Sequence, residues 1–234
     1  MNAKLTCVTG YWKVKNKHSN KYLDWFKTTL KINSPYIVFG NKEGINEIKK
    51  HRDGFATYYV ELNIEDFESY KYKNLMVTNA VHCPSVELNL IWNEKIFMIE
   101  KALILNPFNT DFFCWIDAGI CCFRNKLPPY NLFPDTDKLN LLPKNKFIFS
   151  SSCEYDEYKI LNNINQHYIS GTSYILHKDI VAMFANLYKE YMEKLIKKNN
   201  IWTDQVILSR IYIDNKELFY KLCNGYGENI NYLY

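Results

Sequence analysis

Glycine is scarce, eight in 234 residues, and none of it falls at the spacings that bind nucleotides through bare backbone. No G-x-G-x-x-G follows the first strand-like segment and no G-x-x-x-x-G-K-[ST] occurs, which excludes a dinucleotide fingerprint and a Walker loop. There is no C-x-x-C, no H-E-x-x-H and no G-x-S-x-G, so the usual signatures of a zinc site and of a hydrolase elbow are missing. Arginine is rarer still, at positions 52, 124 and 210. The formal charge of +4 therefore comes from lysines interleaved with acids, and without an Arg cluster no nucleic-acid partner is expected. Lys, Asn, Ile and Tyr all have AT-rich codons, so the lysine excess reads as the codon bias of a low-GC bacterium, a protist or a large DNA virus. No apolar run approaches the roughly 20 residues of a membrane span, so no transmembrane segment is expected. The start, "MNAKLTCVTGYW", lacks the basic region and apolar core of a signal peptide. Seven scattered cysteines suit a reducing compartment. A cytoplasmic protein is expected, in the host cytoplasm if the genome is viral, with room for its lysines to touch a membrane surface.

What is present is an alternation of strand-like and helix-like segments. "LTCVTGYW" (5–12), "PYIVFG" (35–40) and "FATYYVEL" (55–62) read as strands, with helical spacing in 20–31 and 43–51 between them. After the Pro84-Ser85 turn, Trp92, Ile96, Ile99 and Leu103 form one apolar stripe. "FFCWI" (112–116) is a continuous apolar run, the kind buried on both faces of a sheet. "KFIFSSS" and "HYISGTSYILH" are two further strands, and helices are expected over 180–195 and "TDQVILSRIYI". Strands alternating with helices predict an α/β sandwich with a mostly parallel sheet. With no linker or repeat, residues 1–234 read as a single domain. Ligands in such sheets bind beyond the carboxyl ends of the strands, where Thr9 to Trp12, Gly40 to Lys42 and Asp117 to Gly119 lie.

Asp117 is the residue that asks for an explanation. An ionised carboxylate at the end of a buried strand is costly unless paired, bound to a ligand or facing a cleft. An Asp-x-Gly can be a turn, with Gly119 supplying positive φ. The apolar residues up to Ile116 instead place Asp117 at the sheet edge, with Gly119 permitting a ligand to approach the backbone.

At these residues the sequence resembles the GT-A glycosyltransferases, and within them the HtrL/YibB family of bacterial and viral proteins. The resemblance rests on "WIDAGI" (115–120) behind the helix "IWNEKIFMIEKAL", together with "CVTGYW", "YISGTSYILHKD" and "IWTDQVILSRI" in that order. It spans roughly residues 5 to 213 and implies a GT-A-like, Rossmann-like fold: one domain with a mixed, mostly parallel sheet flanked by helices. It also implies transfer of a sugar from a nucleotide-sugar donor, UDP-linked by expectation, to a hydroxyl on a glycan, protein or lipid-linked acceptor.

The resemblance assigns roles residue by residue. Asp117 takes the first position of the acidic motif that holds Mn²⁺ or Mg²⁺ on the donor diphosphate, and Gly119 stands where a second acid is usual. Thr9 and Tyr11 follow the strand that seats base and ribose; the alternative for Tyr11 and Trp12 is a core position. Asn93 with Lys95 is expected to face the donor, although a solvated lysine is the plainer reading of Lys95. Arg124 offers a planar guanidinium to the diphosphate. Asp204 is expected near the acceptor hydroxyl as general base or orienting the donor sugar, with Gln205 beside it and Trp202 as a stacking face. Thr203 or Asp204 could equally cap the helix that follows. Ser170 and Gly171 in "ISGTS" are expected to contact sugar hydroxyls. Two other readings stand beside this one: a sugar-phosphate nucleotidyltransferase, whose Gly/Arg-rich loop is absent, and a binding module without turnover, which the lost second acid favours.

Overall fold

The computed structural model describes residues 4–18, 21–163, 165–198 and 203–234. In chain order it runs β1 (Leu5–Tyr11), α1 (Lys21–Thr29), β2 (Tyr36–Gly40), α2 (Lys42–Lys49), β3 (Thr57–Glu61), α3 (Val86–Leu105) and β4 (Phe112–Ile116). It continues with α4 (Thr136–Asn140), β5 (Phe147–Ser151), α5 (Glu157–Asn162), β6 (Ile169–His177), α6 (Lys178–Ile196), α7 (Asp204–Asp214), β7 (Phe219–Asn224) and α8 (Glu228–Leu233). The seven strands form one sheet in the order β3-β2-β1-β4-β6-β5-β7. Pairing is parallel except around β6, which runs antiparallel to both β4 and β5. The expected α/β architecture, a mostly parallel mixed sheet between helices, is what the chain adopts. No helix among the described residues is long and apolar enough to cross a membrane.

Alternation along the strands divides the core. Val8, Phe113, Trp115 and Tyr174 face α3, α6 and α7, while Cys7, Cys114, Ile116 and Ile175 face α1, α2 and α8. The strands between the two edges bury both faces, which explains the unbroken apolar runs of β2, β4 and β5. The seven cysteines are free, and three of them are buried as small hydrophobes, Cys7 and Cys114 in these layers and Cys83 against Leu88.

α3 departs from the one-stripe expectation. Ser85 caps it by accepting from the Leu88 N–H at 3.2 Å, and the helix then lies between the sheet, α6 and the 3-10 turns at 68–75. Leu90, Phe97, Met98 and Ala102 are buried along with Ile96 and Ile99, so nearly the whole circumference is enclosed. Glu94 is taken up by the Glu68 and Ser69 N–H groups at 3.0 and 3.1 Å. Lys95, on the side the stripe would leave to solvent, is only 3% exposed.

The reversal of β6 decides where the site forms. Its residues pair with β4 from Phe112–His177 to Ile116–Ser173, and the next link is the Asp117 N–H donating to the Thr172 carbonyl at 2.8 Å. The beginning of β6 therefore lies beside the end of β4. α7 starts over the same edge, capped by Thr203, whose hydroxyl accepts from the Val206 N–H at 3.4 Å. Because Thr203 is the cap, the Asp204 side chain is not needed for that role.

Candidate active site

Four segments converge on one ammonium group. Lys95 Nζ, from α3, lies 2.9 Å from Asp117 Oδ1 beyond β4 and 3.0 Å from Asp204 Oδ2 at the start of α7. It also donates to the Gly171 carbonyl of β6 at 2.9 Å. Both carboxylate contacts are ion pairs, and the directed hydrogen bond of the ammonium goes to the Gly171 carbonyl. Trp115 Nε1 donates to Asp117 Oδ1 at 2.7 Å, since Trp115 and Asp117 point to one face of the strand. Both bonds to Asp117 fall on Oδ1, which leaves Oδ2 as the oxygen able to meet a ligand.

Two glycines make this convergence possible by close approach. A Cβ on Gly171 would lie 2.5 Å from Asp204 Oδ2, and one on Gly119 would lie 2.7 Å from the Tyr22 ring. Gly119 is not among the positive-φ glycines, which are Gly54, Gly225 and Gly227; it is needed for space. Gly171→Ala is expected to push Asp204 off Lys95 and lower the melting temperature, since such overpacking costs about 1–3 kcal/mol. A melting curve within a degree of wild type would mean that α7 yields freely here.

The charges are unevenly balanced. Burial works to strip the Lys95 proton, but Asp117 and Asp204 outweigh it and hold its pKa above the ordinary value. Burial pushes Asp204 up to about 6, against the pull of Lys95 and with the Asp117 charge adding to the rise. One ammonium between two carboxylates leaves one negative charge in excess, and a proton on Asp204 removes it.

The cluster sits at the waist of a cleft with two lobes of about 660 and 620 Å³, the size of ordinary small-molecule sites. Tyr22, Trp92, Lys95 and Asp117 line both lobes. The first lobe extends along the segment after β1, past Tyr11, Trp12, Lys13 and Lys15. The second holds Arg124, His167, Asp204, Gln205 and Tyr226, with the exposed Cys121 on its wall.

Of the residues expected from sequence, Asp117, Lys95, Asp204, Gly171, Gln205, Arg124 and Tyr11 are thus gathered around this cleft. Arg124 donates from Nε to the Gly119 carbonyl at 3.0 Å and lies over the Trp25 ring at 4.2 Å, so its guanidinium plane is fixed. Asn93 is elsewhere: its amide donates to Asn89 and its carbonyl oxygen accepts from the Tyr188 hydroxyl at 3.1 Å, inside the α3–α6 contact. Thr9 is wholly buried in β1 and does not line either lobe. The Ser170 hydroxyl is buried against Thr172 at 2.8 Å, also off the lining. Trp12 is a core residue whose Nε1 donates to the Leu62 carbonyl at 2.9 Å, with its edge on the first lobe. Trp202 lies outside the described residues.

His167 was not expected. Its Nδ1 is 2.8 Å from the Ser152 hydroxyl and 3.2 Å from the Gln205 amide nitrogen, and burial pushes its pKa down to about 4. It is therefore a neutral ring at pH 7, holding Gln205 in place. The strand-end argument that finds Asp117 would have found it, had the direction of β6 been readable. Trp115 carried a plainer signal, the two-residue spacing from Asp117.

The divalent ion implied by the resemblance meets a donor set of a different kind. Lys95 already stands between Asp117 and Asp204, and Tyr22 fills the space a second acid at position 119 would need. Among the described residues no group of three or more His, Cys, Asp or Glu is placed to hold a metal ion. These residues do not fit a divalent ion held by the protein.

Two comparisons with known proteins agree. A family model described as a bacterial protein of unknown function (HtrL_YibB) matches residues 60–230, which include every residue of the Lys95 cluster. Protein HtrL of Escherichia coli (strain K12) is 22% identical over 231 residues, an alignment covering 91% of this chain and 77% of that one. The chain belongs to the HtrL/YibB family.

Proposed function

We propose that the protein is a GT-A-type glycosyltransferase that moves a sugar from a nucleotide-sugar donor, UDP-linked, to a hydroxyl acceptor. The observation that carries this reading is the two-lobed cleft whose lobes meet at Asp117 and Lys95, with Asp204 on the second lobe alone. A single-substrate hydrolase needs one pocket; group transfer needs two that share a wall. The first lobe suits the nucleotide: Tyr11 and Trp92 offer ring faces, and Lys13 and Lys15 supply charge at the rim. Asp117 Oδ2 can accept from a sugar or ribose hydroxyl. The second lobe suits the acceptor, beside Gln205, Tyr226 and Asp204.

In the transfer the anomeric carbon loses its bond to the diphosphate oxygen and gains one to the acceptor oxygen. The acceptor proton passes to Asp204, whose pKa of about 6 leaves it ionised yet basic at neutral pH. The charge left on the diphosphate meets the fixed guanidinium of Arg124. If Asp204 is that base, kcat/KM should climb as pH rises through about 6 and level off above it. A flat profile from pH 5 to 8 would assign Asp204 another task.

The assay is release of free nucleotide from a panel of nucleotide sugars, with and without simple sugar acceptors. Steady release supports transfer, whereas binding without release supports a module that keeps the cleft alone. Nucleotide binding has its own readout. UDP at a hundredfold excess over Kd should stabilise the fold by about 2.7 kcal/mol, roughly 5–10 °C in a domain of this size. If no nucleoside diphosphate raises the melting temperature at millimolar concentration, the donor assignment of the first lobe fails.

A further inference from the structure

We propose that the carboxylate pair carries its own cation: the Lys95 ammonium fills the place between Asp117 and Asp204, and the site takes up its anionic ligand without a divalent metal. The geometry supports this at each point. Three oxygens, Asp117 Oδ1, Asp204 Oδ2 and the Gly171 carbonyl, lie within 3.0 Å of Nζ, matching in number the three N–H groups an ammonium carries. The lysine is held there by α3 and is only 3% exposed, meeting the cleft at the wall the two lobes share. A second acid cannot be fitted at position 119 because the Tyr22 ring occupies its space. A Cβ at position 171 would strike Asp204, so the close packing of β6 and α7 around the ammonium is built into the backbone.

Lys95 is by the same argument committed to these three oxygens, two of them anionic, and not to a diphosphate. The anionic ligand must be met by other cations of the cleft, Arg124 on the second lobe and Lys15 and Lys17 of the segment after β1. Lys95 is thus a positioning residue, and a diphosphate ligand is recognised by guanidinium and ammonium groups in place of a metal bridge. The diphosphate part of this inference rests on the nucleotide reading of the cleft; the cation part does not.

The test separates the two. Mn²⁺ binding to the wild-type protein without nucleotide, followed by electron paramagnetic resonance, should be feeble, with no change in melting temperature at millimolar Mn²⁺. Lys95→Ala opens a cavity between two carboxylates, so Mn²⁺ should bind it about tenfold more tightly or better and raise its depressed melting temperature. Equal Mn²⁺ affinity in the two proteins, or no rescue of the variant, overturns the proposal. Should Lys95→Ala not fold, the wild-type titration decides alone: micromolar Mn²⁺ binding overturns the proposal and its absence upholds it. UDP then probes the ligand. Equal UDP affinity in EDTA and in Mn²⁺ supports metal-free recognition, and tighter binding in Mn²⁺ overturns it. Failure of UDP to bind in either solution counts against the nucleotide reading, while the Mn²⁺ comparison still stands.

Discussion

Asp204→Asn is expected to lower turnover by about 10²–10⁴-fold, the range lost with a general base, in a protein that melts at or above the wild-type temperature at pH 8. The combination follows from the surroundings of the side chain. Thr203 provides the helix cap, so the substitution leaves α7 anchored. Asn can still offer an oxygen to Lys95, while the excess negative charge of the cluster disappears. The pH dependence gives a second check. The pKa of Asp204 is raised on folding to about 6 from an ordinary value of 3.8, so the folded protein takes up a proton. The stability this contributes is fully present below the ordinary value and is lost as pH rises through about 6. The variant lacks this loss, so it should gain on wild type from pH 4 to pH 8. Glu94, pushed by burial to about 7, titrates in both proteins and cancels in the comparison. Circular dichroism melts at three pH values beside one turnover assay suffice. Turnover within threefold of wild type would reduce Asp204 to a structural partner of Lys95.

Lys95→Met should produce the largest loss of stability. It keeps most of the side-chain volume but leaves Asp117 and Asp204 facing one another without their cation. Breaking a buried pair from one side costs about 3–5 kcal/mol, or roughly 6–20 °C in melting temperature for a domain of this size. Here the sign with pH is diagnostic. Without the ammonium Asp204 loses the partner that opposes its burial and holds its proton more strongly when folded, so the variant is favoured at low pH and loses stability as pH rises. The deficit should therefore shrink at pH 5 and widen at pH 8. A deficit independent of pH would mean that lost packing, and not charge, is what the lysine contributes.

The order of the strands and of the longer helices through α7 is readable because each segment repeats at its own period, whereas α4 and α5, of five and six residues, are too short to show one. "FFCWI" and "PYIVFG" are too apolar for anything but buried strands, and their ends locate Asp117 and Tyr11 at the cleft. The helix stripes do less well, because period shows which side is apolar and not how many neighbours surround it. Lys95 looks like a surface residue until the 68–75 segment and α6 close over α3. Asn93, two residues away on another side of the helix, is drawn into the Tyr188 contact for the same reason. Strand direction is the other hidden quantity. Nothing in "HYISGTSYILH" reveals that β6 runs backwards, and that reversal brings Gly171 and His167 to the functional edge while burying the Ser170 hydroxyl. The last strand and helix, after residue 213, have no counterpart in the sequence reading. β7 is an edge strand with exposed Tyr220 and no apolar run to announce it.

The central cluster also has an order in time. Its members stand at positions 95, 117, 171 and 204, so a ribosome releases them in that sequence. At 5–20 residues per second, Asp204 leaves the ribosome roughly 5–20 s after Lys95. Lys95 and Asp117 come from consecutive elements, α3 and β4, so both partners of that ion pair are made before the second carboxylate exists. Asp204 arrives last, on a helix that docks over strands already laid down. Vectorial synthesis therefore delivers the cation before either acid, and a circular permutant that begins at α7 would deliver Asp204 ahead of it.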